Sequence, residues 1–391
     1  MAKLQALKKC IVCILLFYSV VSAAFAEGFE LYIKGVQSFI TIETAQVTID
    51  YNPPSYPCDF ILGMADLGLK LNEGAGINII ADPFPESNET VAIPARKWTD
   101  PLPSDPGLIL TYPQAAWRDT RFELFYWQAF PDILIIDTAS YDVLKGLFHR
   151  LAFFVEKRDY RGTIPAVAAV WDKHGWNAHD YNAADLGNFF EKARVENIQL
   201  TALEESLKEI LLANGIIVQA KNQSTGKIQA GKGAVLGISQ ESGERLRQQF
   251  MVHEGYHGIY FVDADFQKFA AQRWQALEPA AKRFLKSYLA WSGYDSTDES
   301  LMINEFMAYN LERPPEAVGW YLGDTAPRRI MNSWRKQDLP EQAPVKGTSD
   351  GMGWPGLITS FTREAEAFSE YVHTRWHLYG GTISFVTKKV M

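Results

Sequence analysis

The sequence predicts an α+β protein in which a β-rich N-terminal region precedes a mainly helical region with a small sheet. Between Phe29 and Tyr51, β-branched and apolar residues alternate with polar ones over short stretches, a pattern typical of strands. From Ser242 to about Leu322 apolar residues recur with helical spacing. We therefore expect a β-rich region over residues 27–121 and a mainly helical region with a small sheet over residues 122–391.

Several elements of the second region can be predicted individually. The apolar run Ile133–Ile136 indicates a buried strand, and a helix is expected from about Tyr141 to Lys157. Asn182 is of a residue type favoured at helix N-caps, and Thr201 with Glu204 has the spacing of a capping box. After Ser242 we expect helices, including one long helix over 266–291.

Composition is that of a globular protein. The chain has 391 residues, of which 47% are hydrophobic and 21% charged. A chain of this length buries a large core without disulfides or structural metals, so a bound metal is expected to be catalytic. Cys58 is the one cysteine beyond the first 26 residues, which excludes an intrachain disulfide there.

The first 26 residues have the pattern of a signal peptide. Three lysines precede an apolar stretch over 11–21, and Ala24 and Ala26 stand where a signal peptidase reads small residues. Cleavage is expected before Glu27, which predicts an exported protein, periplasmic or secreted. No later stretch has the length of a membrane span, so no transmembrane segment is expected in the mature chain.

The net charge disfavours nucleic acid as a partner. Removing three lysines and no acids with the leader changes the formal charge from −8 to −11. Proteins that bind phosphate backbones need a basic face, which this balance makes improbable.

The chemically informative segment is His253-Glu254-Gly255-Tyr256-His257. Two histidines four residues apart lie above one another on a helix, so both imidazoles can bind one Zn²⁺. Glu254 is offset by about a hundred degrees around the helix. It would lie beside the metal and could take a proton from bound water. The alternative is an amphipathic helix whose histidines are satisfied in the core.

A second segment supplies a candidate third ligand. Asn304-Glu305, followed by Ala308, resembles the Asn-Glu-x-x-Ala stretch of the gluzincins, zinc peptidases whose third ligand is a glutamate on a second helix. The resemblance covers about residues 233–310 and implies that Glu305 binds the metal. The 47 residues between His257 and Glu305 make a longer insert than in compact members. Glu299 is the competing ligand.

Other segments supply further candidate parts of a peptidase site. Gluzincins bind the substrate backbone along an edge strand, for which Gly233–Ser239 is the candidate. Tyr309, Tyr294 and His373 are candidate donors to a tetrahedral intermediate. His373 also has His377 four residues on with no glutamate between them, which favours a polar helix face over a donor role. Asp263 and Asp265 could orient a metal-bound histidine.

Together these features predict a zinc-dependent peptidase that acts on a peptide or protein substrate, with Glu254 as general base. The alternative function is a non-catalytic binding or scaffold protein of the cell envelope with a peptidase-like fold. Oligomeric state is not indicated by any pattern in the sequence.

Overall fold

The computed structural model describes residues 28–70, 76–81, 85–93, 96–220, 226–334 and 354–391. The predicted signal peptide, residues 1–26, lies outside the described residues. The strands are β1 (Phe29–Val36), β2 (Ile40–Glu43), β3 (Val47–Tyr51), β4 (Cys58–Gly63), β5 (Asn78–Ala81), β6 (Ser87–Ala92), β7 (Leu102–Ser104), β8 (Phe122–Trp127), β9 (Phe130–Thr138), β10 (His179–Asn182), β11 (Ile217–Gln219), β12 (Ile228–Ala230), β13 (Ala234–Ser239) and β14 (Val386–Val390).

The α-helices lie mainly in the second half of the chain, so the α+β prediction is confirmed. They are α1 (Pro106–Leu110), α2 (Tyr141–Val155), α3 (Val167–Val170), α4 (Ala183–Val195), α5 (Ala202–Ala213), α6 (Glu244–Val262), α7 (Ala264–Ala276), α8 (Pro279–Ser292), α9 (Glu299–Leu311), α10 (Pro315–Trp320), α11 (Ala326–Trp334) and α12 (Trp354–Trp376). A π-helical turn, Tyr321–Thr325, separates α10 from α11. Among the described residues, no helix is long and apolar enough to cross a membrane.

The chain divides into two compact units. The first comprises residues 1–96, 103–116 and 384–391, and the second comprises residues 97–102 and 117–383. The chain passes from one unit to the other at four points, 96/97, 102/103, 116/117 and 383/384. The predicted boundary at 121/122 lies five residues after the third of these. The other three have no counterpart in the sequence analysis.

The first unit is built from two antiparallel sheets. One has the order β4-β1-β6 and the other has the order β14-β3-β2-β5. Along β3, Val47, Ile49 and Tyr51 are buried and alternate with half-buried residues, which is the period of a strand with one covered face. The ring of Tyr51 stacks on that of Phe60 in β4 with centroids 4.0 Å apart, so the two sheets are in contact at this pair.

The core of the second unit is a sheet in which four strands follow the order β10-β13-β9-β8. β9 runs parallel to β13 and antiparallel to β8, and every residue of its Ile133–Ile136 run is buried. Helices α2, α4 and α5 cover one face of the sheet. Their apolar side chains form one buried cluster with Leu134, Ile136 and Val235 of the strands. The predicted capping box at the start of α5 and the Asn182 cap of α4 are both present.

Helix α6 packs against the opposite face of this sheet. A Cβ atom on Gly258 would lie 3.1 Å from Ile133 and 3.3 Å from Leu236, so a larger residue would force these side chains to shift by a few tenths of an ångström. Near the start of α6, the buried guanidinium of Arg247 makes two hydrogen bonds of 2.7 Å to Asp137 on β9. The apolar contact and the buried ion pair together fix the helix on the sheet.

The helical insert after α6 is two helices rather than the single one predicted over 266–291. α7 ends at Ala276 and α8 begins at Pro279. Leu277 and Glu278 have extended backbone conformations, since a proline disfavours helical geometry in the residue before it and starts a helix readily.

Candidate metal centre

Helix α6 presents the two histidines of the His-Glu-x-x-His segment to each other. His253 and His257 lie one helical turn apart, and their Nε2 atoms are 3.1 Å apart. The His257 side chain is fully buried, and that of His253 is 13% exposed. Gly255 lies between them, where a Cβ atom would come within 2.5 Å of Ile383.

Helix α9 brings Glu305 to the same point. Its carboxylate oxygens lie 3.7 Å from Nε2 of His253 and 3.9 Å from Nε2 of His257. Asp298 caps α9 by accepting hydrogen bonds from the amides of Ser300 and Leu301, which sets where the helix begins. Glu305 is 3% exposed, and its Oε2 atom has no hydrogen-bond partner among the described residues.

The competing ligand, Glu299, is not brought to the histidines. It lies in the first turn of α9, is exposed, and accepts a hydrogen bond of 2.9 Å from the indole nitrogen of Trp274. Six residues along an α-helix correspond to one full turn plus about 240° of rotation, so Glu299 and Glu305 point in different directions.

His253, His257 and Glu305 form a buried group that could hold a metal ion. Two imidazole nitrogens and one carboxylate match the donor set of catalytic zinc sites. With metal–ligand bonds of about 2.0–2.1 Å, two ligands of a tetrahedral site are separated by roughly 3.3 Å. The observed separations of 3.1 to 3.9 Å lie within about 0.6 Å of that value. The unpartnered oxygen of Glu305 also fits a metal ligand.

Two carboxylates lie near the outer nitrogens of the histidines. Glu312 Oε2 lies 3.0 Å from Nδ1 of His253, within hydrogen-bonding distance, whereas Asp180 Oδ2 lies 3.7 Å from Nδ1 of His257, which has no hydrogen-bond partner among the described residues. The Glu312 carboxylate keeps the proton on Nδ1 of His253 and directs the lone pair of Nε2 inward. The sequence analysis missed both residues.

The aspartates proposed for this supporting role are elsewhere, and that prediction is wrong. Asp263 caps α7 and forms an ion pair of 2.8 Å with Arg375. Asp265 is exposed and pairs with Lys268. Both follow the end of α6, so neither faces the histidines.

Glu254 lies in the same cluster without belonging to the His253, His257 and Glu305 set. Its carboxylate, with Asp180 and His257, forms a second close group of potential ligand atoms. Glu254 is 6% exposed. Burial raises the pKa of Glu254 well above the usual range of a glutamate, and the negative charge of Asp180 raises it further.

The three candidate donors have different positions. Tyr294 and Tyr309 both line the same cavity as His253 and Glu254. Burial raises the pKa of each tyrosine well above its usual value, so both hydroxyls stay protonated and can donate. His373 lies near the end of α12 and lines neither cavity beside the histidines. Its ring stacks on Tyr379 with centroids 4.3 Å apart.

Two cavities flank the cluster. The larger, of about 680 Å³, is lined by Glu305 and by residues around β10, and the smaller, of about 210 Å³, is lined by His253 and Glu254. Glu156 and Asp180 line both, so they stand where the two cavities meet.

The strand next to the larger cavity is β10, not the predicted Gly233–Ser239 segment. β13, which covers most of that segment, pairs with β10 on one side and β9 on the other, so its hydrogen-bonding edges are used. β10 is the terminal strand of the sheet, and its Asp180 and Asn182 line the larger cavity. The edge-strand prediction is therefore wrong in its residues.

Comparison of the chain with known protein families, with curated proteins and with solved structures found no match.

Proposed function

We propose that this protein is a zinc-dependent peptidase whose metal is held by His253, His257 and Glu305. The observation that carries the proposal is the convergence of these three donors from two helices, with the Glu254 carboxylate beside them. When bound, zinc supplies the Lewis acidity that lowers the pKa of a coordinated water and polarises a peptide carbonyl.

The protein's own residues would perform the proton transfers. Glu254 would take the proton of the attacking water and deliver it to the leaving amine, a role that suits a carboxyl group whose pKa is raised above its usual range by burial. Tyr294 and Tyr309 are protonated donors in the same cavity, where they could stabilise the developing oxyanion.

The free side of β10 supports an extended peptide as substrate. A peptide could add to this strand by backbone hydrogen bonds, which hold it without regard to its side chains. The larger cavity beside β10 would receive residues on one side of the scissile bond, and the smaller cavity would receive residues on the other. The predicted signal peptide directs this activity to the periplasm or the exterior.

The test is Glu254→Gln, which keeps the shape of the side chain but removes its ability to accept a proton. Hydrolysis of a mixed peptide library should fall by about 10²–10⁴-fold while zinc content stays at about one ion per chain. Glu244→Gln, at an exposed position in the first turn of the same helix, is the matched control and should retain activity.

Three outcomes would contradict the assignment in different ways. Loss of zinc in Glu254→Gln would make that carboxylate a ligand. Undiminished hydrolysis would place the general base elsewhere. A wild-type protein that holds zinc and cleaves no peptide would favour the non-catalytic envelope protein.

A further inference from the structure

The smaller cavity has an unusual balance of charge. The described residues that line it include no lysine or arginine and four carboxyl groups: Glu156, Asp180, Glu254 and Glu312. Five of the ten other lining residues are large aromatics: Trp176, Phe250, Tyr294, Tyr309 and Tyr321. Of the four acids, Glu312 contacts the guanidinium of Arg313, and Asp180 and Glu254 face His257. Glu156 remains to be accounted for.

The position of Glu156 is fixed from several directions. It ends α2, where its amide donates to the carbonyl of Ala152, and its own carbonyl accepts from the amide of Asp295. Its carboxylate oxygen Oε2 accepts a hydrogen bond from the indole nitrogen of Trp176. The Trp176 ring is held in turn between Tyr294, with centroids 4.7 Å apart, and the ammonium of Lys157, 3.1 Å from the ring centroid.

The other oxygen of Glu156 has no such partner. The residue is 6% exposed, yet Oε1 accepts no hydrogen bond, and no cationic side chain forms an ion pair with the carboxylate among the described residues. The carboxylate is buried near two other acids, and the positive charge of Lys157 offsets this only in part, because the pKa of Glu156 remains well above its usual range; a cation that enters the cavity would stabilise it further.

We propose that the smaller cavity is a specificity subsite for a primary ammonium group of the substrate, and that Glu156 pairs with it. The inference rests on the peptidase function proposed above. A volume of about 210 Å³ is that of roughly seven water molecules, which suits one side chain or one chain terminus. Aromatic walls add attraction for a cation beyond the carboxylate itself. The ammonium could belong to a lysine side chain or to the peptide's N-terminus.

The experiment compares wild type, Glu156→Gln and Glu299→Gln on one peptide mixture. Each peptide occurs with lysine or norleucine at a given position, and with a free or an acetylated N-terminus. Glu299 is the matched control because it also accepts a hydrogen bond from a tryptophan indole, yet it is exposed and lines neither cavity.

Wild type and Glu299→Gln should cleave ammonium-bearing peptides at least tenfold faster than their neutral matches. Glu156→Gln should lose at least tenfold of that preference and retain its zinc and its rate on neutral peptides within about threefold. A preference that follows lysine identifies a side-chain subsite, and one lost on acetylation identifies the N-terminus. An equal fall on all peptides would overturn the proposal.

Binding of the same peptides to the zinc-free protein, measured by calorimetry, separates this inference from the proposed function. If wild type binds ammonium peptides through Glu156 but cleaves nothing, the subsite stands and the peptidase does not. If it cleaves peptides without regard to charge, the peptidase stands and the subsite does not. Glu156→Asp keeps the negative charge and should therefore preserve more of the preference for ammonium-bearing peptides than Glu156→Gln does. This comparison distinguishes loss of the charge from misfolding of the variant.

Discussion

The carboxylate of Glu312 lies 3.0 Å from Nδ1 of His253. Glu312 follows Glu305 by seven residues, which is about two helical turns. This contact determines which nitrogen of His253 carries the proton and therefore which one is free for a metal. Glu312→Gln should weaken zinc affinity by about 10–100-fold with the fold intact, because the amide cannot supply the negative charge. Competition with a chromophoric chelator measures the change, and Glu316→Gln, exposed on α10, is the control.

Glu305→Gln and Glu299→Gln form a second comparison. Glu305 is buried beside the two histidines, whereas Glu299 is exposed and bonded to Trp274. We expect Glu305→Gln to lose more zinc affinity than the hundredfold typical of a supporting residue, and Glu299→Gln to leave affinity unchanged. The reverse order in metal analysis would make Glu299 the ligand.

Arg247→Met tests how α6 is held on the sheet. The substitution leaves Asp137 charged and fully buried without its guanidinium, which should cost about 3–5 kcal/mol of unfolding free energy. All eleven tryptophans belong to the second unit, so their fluorescence reports its unfolding in urea. Lys192→Met breaks a surface pair with Glu196 and should change stability by less than about 1 kcal/mol. A neutral Arg247→Met would contradict this account.

Asp66→Asn should change how the stability of the first unit depends on pH. Burial raises the pKa of Asp66 to about 6. Between about pH 4 and pH 6 the folded chain retains a proton that the unfolded chain has lost, so stability falls as pH rises through this window. The asparagine variant should lack this pH dependence. Its unfolding free energy relative to that of wild type should therefore be higher at pH 7 than at pH 4 by on the order of 2 kcal/mol. Urea unfolding followed by far-ultraviolet circular dichroism measures both.

A control and a contrary outcome complete this test. Asp59→Asn removes one negative charge at an exposed position of the same unit and should leave the pH dependence unchanged. An Asp66→Asn variant with the wild-type slope would mean that another group, such as Asp105, whose pKa is also raised to about 6 by burial, governs the dependence.

Local patterns predicted much of the second unit. The start of α2 at Tyr141, the caps of α4 and α5 and the helical context of His253 all follow from interactions within a few residues. Glu312 could also have been found, because Glu305, Tyr309 and Glu312 are spaced i, i+4, i+7 and so share a helix face.

The rest depends on contacts between distant segments. Asp180 and Glu156 reach the site from β10 and the end of α2, about 70 to 100 residues before the histidines, and no spacing in the sequence links them. The edge strand was misassigned because the apolar run of β13 is as compatible with an interior strand as with an edge.

The pairing of β14 with β3 has a consequence for how the chain folds. Val47–Tyr51 is separated from its partner Val386–Val390 by more than three hundred residues, so one sheet of the first unit is completed only when the last strand is available. Until then β3 has an open edge of alternating apolar residues, which is a template for association between chains. We expect refolding of the first unit to be slow, because closure of so long a loop must precede this pairing, and aggregation to rise with protein concentration during that interval.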